Sequence, residues 1–110
     1  MKIAVRFLGL PPSDAVRQFV ERQVLFHLSR FAHEIEAIEI RVRDVNGPRG
    51  GDDMECRVTV KGPRLGHNTI TDLDGDVYQA VGMAMSRAAR AVARTLERAR
   101  SLNPSLRLLS

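Results

Sequence analysis

Apolar residues in this chain recur at a spacing of two, then near 3.6, then at two through three further stretches, then near 3.6 again. Spacing of two marks one face of a strand and spacing near 3.6 one face of a helix. Ile3, Val5 and Phe7 alternate with Lys2, Ala4 and Arg6. Gly9, Leu10, Pro11 and Pro12 break that strand, and Ser13 is a natural N-cap, with Asp14 suited to a first helical turn. Val16, Phe19, Val20, Val24 and Phe31 then predict a first helix to about Phe31. Its buried face takes in His27, and Leu25 is its one apolar residue on the wet side. Ile38, Ile40 and Val42 mark a second strand, and Met54, Cys56, Val58 and Val60 a third. Residues 67–71 form a short fourth.

The aspartates at 72, 74 and 76 read as caps and first-turn acids of a second helix. Val77, Val81, Ala84, Ala88, Val92, Thr95 and Ala99 line one face of that helix to about Arg100. Its seven alanines favour helix and permit close approach to a sheet. Asn103 and Pro104 end it. The order is therefore β-α-β-β-β-α. Each strand has one apolar face, so both helices are expected on one side of a four-stranded sheet, in a two-layer α+β domain. The opposite face would be wet and carry Arg6, Arg41, Arg43, Arg57 and Lys61. Residues 1–102 read as a single domain and 103–110 as a short loose tail.

At 110 residues the chain has the size of one domain. No apolar run approaches the roughly 20 residues of a membrane span. The N-terminus reads as a strand rather than a signal peptide. Cys56 is the single cysteine, which fits a reducing cytoplasm. The formal net charge of +4 implies a polyanionic partner.

The second helix carries the sharpest signal. Arg87, Arg90, Arg94 and Arg98 fall within about 80° of one another at 100° per residue. Glu97 is the one acid between Ser86 and Arg100. A solvated helix usually mixes signs, and like charges one turn apart repel by a few tenths of a kcal/mol. Folding alone does not ask for such a stripe; it reads as a phosphate-binding surface, the alternative being a solvated face whose Arg stems cover apolar surface. A weaker basic group, Arg17, Arg22 and Arg30, lies on the first helix and just beyond, diluted by Glu21 and Glu34. Aromatic residues are few and mostly on core faces, so a surface that reads RNA backbone and shape is favoured over one that stacks bases. Asp72, Asp74 and Asp76 lack the glycine and glutamate of a calcium loop, with Val77 and Met83 at those places. Cys56, His27, His33 and His67 lack paired metal-ligand spacing. The glycines of 47–51 read as a flexible hairpin loop. No catalytic motif, metal or cofactor site is expected.

The segment Asp74, Gly75, Asp76, Val77, Tyr78, Gln79, Ala80, Val81 resembles the D-x-Y-x-A-I stretch that opens the last helix of the ribosome hibernation promoting factor and ribosome-associated inhibitor family. Arg87, Arg90, Arg94 and Arg98 stand at the offsets where that family places basic residues. Arg17 with Phe19 and Val20 is similar to its first helix, and residues 44–53 resemble the loop of a proteobacterial branch of stand-alone members. The likeness extends from residue 1 to about 100. It implies a fold similar to a double-stranded-RNA-binding domain. It also implies a short-form factor that binds the small ribosomal subunit and its ribosomal RNA, overlaps the mRNA channel and tRNA sites, and blocks translation when growth stops. It implies no chemistry, cofactor, membrane or small-molecule substrate, and a chain monomeric when free. The chain departs from the family pattern in its long Gly-rich loop and its Ala-rich last helix. Two other functions fit the same residues: a general binder of structured RNA, and a protein-interaction module regulating a stress or transcription factor.

Overall fold

Ser13 ends the opening turn in extended backbone (φ −128°, ψ 121°), and its hydroxyl accepts from the Val16 amide at 3.2 Å. This caps the first helix as the sequence predicts. The computed structural model describes residues 1–46 and 53–101. In order these form β1 (Lys2–Leu8), α1 (Asp14–Leu28), a 3-10 turn (Ser29–Glu34), β2 (Ala37–Asp44), β3 (Met54–Gly62), β4 (Gly66–Asp74) and α2 (Val77–Ser101). The glycine loop at 47–51 and the tail at 103–110 lie outside the described residues.

The sheet order is β1-β2-β3-β4, with β1 parallel to β2 and the other neighbours antiparallel. Val5, Ile40, Val58 and Ile70 stand in one row across it, all on the packed face. Both helices cover that face. α1 contributes Val16, Val20, Val24 and Leu28 to the core. α2 contributes Ala80, Val81, Ala84, Met85, Ala88, Ala89, Ala91 and Val92. Phe19 on α1 meets Tyr78 at the start of α2 edge to face, 5.0 Å between ring centres. The two-layer α+β expectation is met.

Five local readings need correction. The α-helix ends at Leu28 rather than Phe31; the chain tightens into the 3-10 turn, which still packs Phe31 against the core. Phe26 is 80% exposed, so Leu25 is not the lone apolar residue on the wet side. His27, next to Phe26, is only partly buried. The fourth strand is nine residues long, not five, and Asp72 and Asp74 belong to it. Of the three aspartates, Asp76 is the helix cap: its Oδ1 accepts from the Tyr78 amide at 2.9 Å and its carbonyl from Ala80 at 3.0 Å.

Gly62 closes β3 where the chain returns past the 3-10 turn. A Cβ at this position would run into the Glu34 carbonyl, so only glycine fits without a shift of backbone. Cys56 is fully buried on the packed face of β3. Burial, and then the nearby carboxylates of Asp72 and Glu55, push its thiol up to about 12.

Candidate nucleic-acid interface

Because α2 buries its small residues against β3 and β4, its arginines are forced outward. Arg87, Arg90, Arg94 and Arg98 are all exposed, but they are not equivalent. Arg87 Nη1 donates to Asp72 Oδ1 at 2.7 Å and to the Thr71 carbonyl at 3.3 Å. It therefore ties α2 to the edge strand β4. Asp72 faces inward on β4, opposite Cys56, and would be a half-buried anion without that partner. Further along, Thr95 Oγ1 donates to Asn68 Oδ1 at 3.2 Å and makes a second polar tie between the same two elements. Arg90 donates only to Ser86 Oγ, at 3.4 Å, and Arg94 and Arg98 have no protein partner among the described residues. The free part of the stripe is thus Arg90, Arg94 and Arg98, on the half of α2 nearer its C-terminus.

The α1 group divides similarly. Arg17 is partly buried: Nη1 reaches the Val5 carbonyl at 3.5 Å, and its guanidinium lies 5.4 Å from the centre of the Phe7 ring. It clasps α1 to β1. Arg30 is exposed and sits 4.6 Å over the Phe31 ring, a cation–π contact that orders it without neutralising it. Arg22 is exposed and has no partner among the described residues. Its neighbour one turn on is the exposed Phe26, which places an aromatic ring between Arg22 and Arg30. His27 has its pKa lowered by desolvation and then by Arg30, so it is neutral near pH 7 and adds no charge.

A shallow groove runs beside this surface, lined by Phe31, Glu34, Arg64, Leu96, Glu97 and Arg100. Arg64 and Glu34 are paired across its wall at 3.4 Å. Nothing in it juxtaposes a nucleophile and a base. Among the described residues, no group of three His, Cys, Asp or Glu is placed to hold a metal ion, and no helix is long and apolar enough to cross a membrane.

Residues 3–100 match the family described as Sigma 54 modulation protein / S30EA ribosomal protein. The chain belongs to this family. It is the group that the last-helix segment resembled, and it consists of ribosome-associated modulation factors rather than enzymes. The fold is similar to the crystal structure of the Thermus thermophilus Protein Y N-terminal domain, with a TM-score of 0.70 at 23% identity over 86% of this chain and 98% of that one. It is also similar to a ribosomal subunit interface protein from Coxiella burnetii, with a TM-score of 0.72 at 20% identity over 86% of this chain and 96% of that one. No curated protein sequence matches the chain. At these identities the S30EA-family structures establish the fold, and the assignment of individual arginines rests on the geometry above.

Proposed function

We propose that this chain is a hibernation factor that acts, as a single copy in the cytoplasm, on the small ribosomal subunit. Arg90, Arg94 and Arg98 lie along ribosomal RNA phosphates, with Arg22 and Arg30 as supporting contacts. The body of the domain then occludes the channel used by mRNA and tRNA in non-growing cells. Arg87 and Arg17 hold the helices to the sheet and position the binding surface. The observation that carries the reading is the unpaired run of arginines on α2 in a chain of a ribosome-associated family. Folding derives no benefit from like charges at one-turn spacing, whereas a phosphate backbone does. No covalent step is involved; inhibition is steric.

The test is sedimentation through sucrose gradients with separated ribosomal subunits, at low and moderate salt. Stoichiometric binding to the small subunit is expected. It should weaken steeply as salt rises, with the slope reduced by roughly two to three when Arg90, Arg94 and Arg98 are replaced by Ala. Equal binding to both subunits and to free duplex RNA would indicate a general structured-RNA binder. Absence of ribosome binding at low salt would overturn the proposal.

A further inference from the structure

The strand register assembles a feature that no single stretch of sequence contains. Arg6 on β1 stands beside Arg41 on β2, and Arg41 stands opposite Arg57 on β3. All three point to the open face, because their sequence neighbours Val5, Ile40, Val42 and Val58 point to the core. Strands lie about 4.8 Å apart, so three guanidinium side chains start from one line roughly 10 Å long. Among the described residues none of the three has a hydrogen-bond or ion-pair partner. The Nε of Arg57 is buried without an acceptor. The neighbouring outward row adds Arg43 on one side, and on the other Lys2 and Lys61 stand two rows away, beyond the row of Glu39 and Thr59. Two acids face the same way. Glu55 is held by Arg43 at 3.2 Å, and Glu39 remains beside the row.

Like charges directly opposite on adjacent strands oppose folding. Charged side chains on an edge strand guard against edge-to-edge pairing, which accounts for Arg6. It does not account for Arg41 and Arg57, which sit on the two central strands. Solvation of the arginine stems over the sheet also leaves the alignment unexplained. An anion bridging the row removes the repulsion, and the planar guanidinium fork suits phosphate oxygens. Thr71 ends the row, and Thr59 and Thr69 share a hydroxyl contact of 3.3 Å in the row beside it, so neutral hydroxyl donors flank the cations. The one aromatic ring that points outward from these four strands is His67, two rows from Arg57, so the row itself offers no stacking platform of the kind used by other RNA-binding sheets.

We propose that the open face of the sheet, centred on Arg6, Arg41 and Arg57, is a second RNA surface that takes the phosphate backbone without reading bases. It lies on the side of the sheet away from α2, so the domain sits between two RNA segments. The proposal rests on the reading of this chain as an RNA binder but not on the assignment of the α2 stripe.

The probe is a fluorescein-labelled RNA duplex of about 20 base pairs, long enough to cover a double-stranded-RNA-binding domain of roughly 16. Anisotropy is followed over a potassium chloride series. The variants are Arg6→Gln/Arg41→Gln/Arg57→Gln, the single Arg41→Gln, and Arg90→Ala/Arg94→Ala/Arg98→Ala. The triple sheet variant should lose about two to three from the salt slope, and up to about 100-fold in affinity near 0.1 M salt. Arg41→Gln should lose about one from the slope and stays informative if the triple variant folds poorly. Melting temperatures should hold or rise, because repulsion has been removed. Losses in the sheet and helix variants should add when combined, as for independent sites. A wild-type slope in both sheet variants, with a reduced slope in the helix variant, overturns the proposal and leaves the row a solvated face. A reduced slope in the sheet variants alone upholds it and overturns the α2 assignment. No binding of duplex by the unmodified protein overturns it outright, whatever the subunit gradients show.

Discussion

α1 buries Val16, Val20, Val24 and Leu28, one aliphatic side chain per turn, whereas α2 buries five alanines with Val81, Met85 and Val92 between them. The two helices share one face of one sheet, yet the first fills space with volume and the second removes space by approaching. Their outer sides differ in the same way. α1 mixes Glu21 with Arg22 and leaves Leu25 and Phe26 in water. α2 sorts its residues sharply into a buried small-residue face and an exposed basic one. Close approach by small residues leaves the arginines of α2 no room inward, so packing and charge display follow from one pattern. In α1 they are separate.

The largest expected effect breaks this contrast from both ends. Leu28→Ala empties volume in α1 and should destabilise by about 2–5 kcal/mol, through lost transfer energy and the cavity left behind. Ala88→Leu adds volume where α2 approaches the sheet and should destabilise by about 1–3 kcal/mol through overpacking. Urea unfolding measures both. If Ala88→Leu falls within about 0.5 kcal/mol of the parent, α2 does not pack as closely as its alanines imply.

Cys56 measures how dry the core is where β3 runs beneath α2. Its thiol is raised from an ordinary value of 9.0 to about 12, chiefly by burial. Below pH 9 the folded and unfolded chains both hold the proton, and the thiol contributes no pH dependence. Between about 9 and 12 the unfolded chain gives it up first and so binds fewer protons than the folded one. Stability therefore falls as pH rises through that window, by up to about 1.4 kcal/mol per unit. Cys56→Ala should lower stability at neutral pH but remove that part of the alkaline decline. A parent and variant with the same decline between pH 9 and 10.5 would mean that water reaches the thiol.

What the chain disclosed before folding follows the range over which each signal acts. Strand phase and helix phase are local, so the layers, the buried cysteine and the α2 arginines were all legible. Phe26 was also legible in principle, since Val16, Val20, Val24 and Leu28 place it on the opposite side of the helix. A stripe drawn through Phe19 and Phe31 as well as the valines is broad enough to hide that Phe26 lies outside it. Asp72 was harder. It keeps the inward phase of Ile70, but a charge at an inward position hides the alternation, and three aspartates around a glycine match helix-cap composition equally well. Strand phase puts Arg6, Arg41 and Arg57 on the open face, but their alignment in one row is not legible in the sequence. It depends on register, and register is set by the pairing of strands far apart in sequence.

The smallest effect separates residues that look identical along the α2 stripe. Arg87 and Arg94 are both exposed arginines on the same side of the helix, but Arg87 is bound to Asp72 and Thr71 while Arg94 faces solvent. Arg87→Ala removes a partly exposed ion pair and leaves Asp72, with one carboxylate oxygen already buried and unpartnered, to face the core alone. The ion pair itself is worth only about 0.2–1 kcal/mol at such exposure. Destabilisation should therefore be up to about 1 kcal/mol, with little change in the salt slope of RNA binding. Arg94→Ala should leave stability within about 0.5 kcal/mol of the parent and take nearly one from the slope. If the two variants behave alike in both measurements, Arg87 returns to the binding surface and α2 is held to β4 by its alanines and the Thr95–Asn68 contact. If they divide as expected, the stripe is a structural tie at its first arginine and a phosphate surface beyond it.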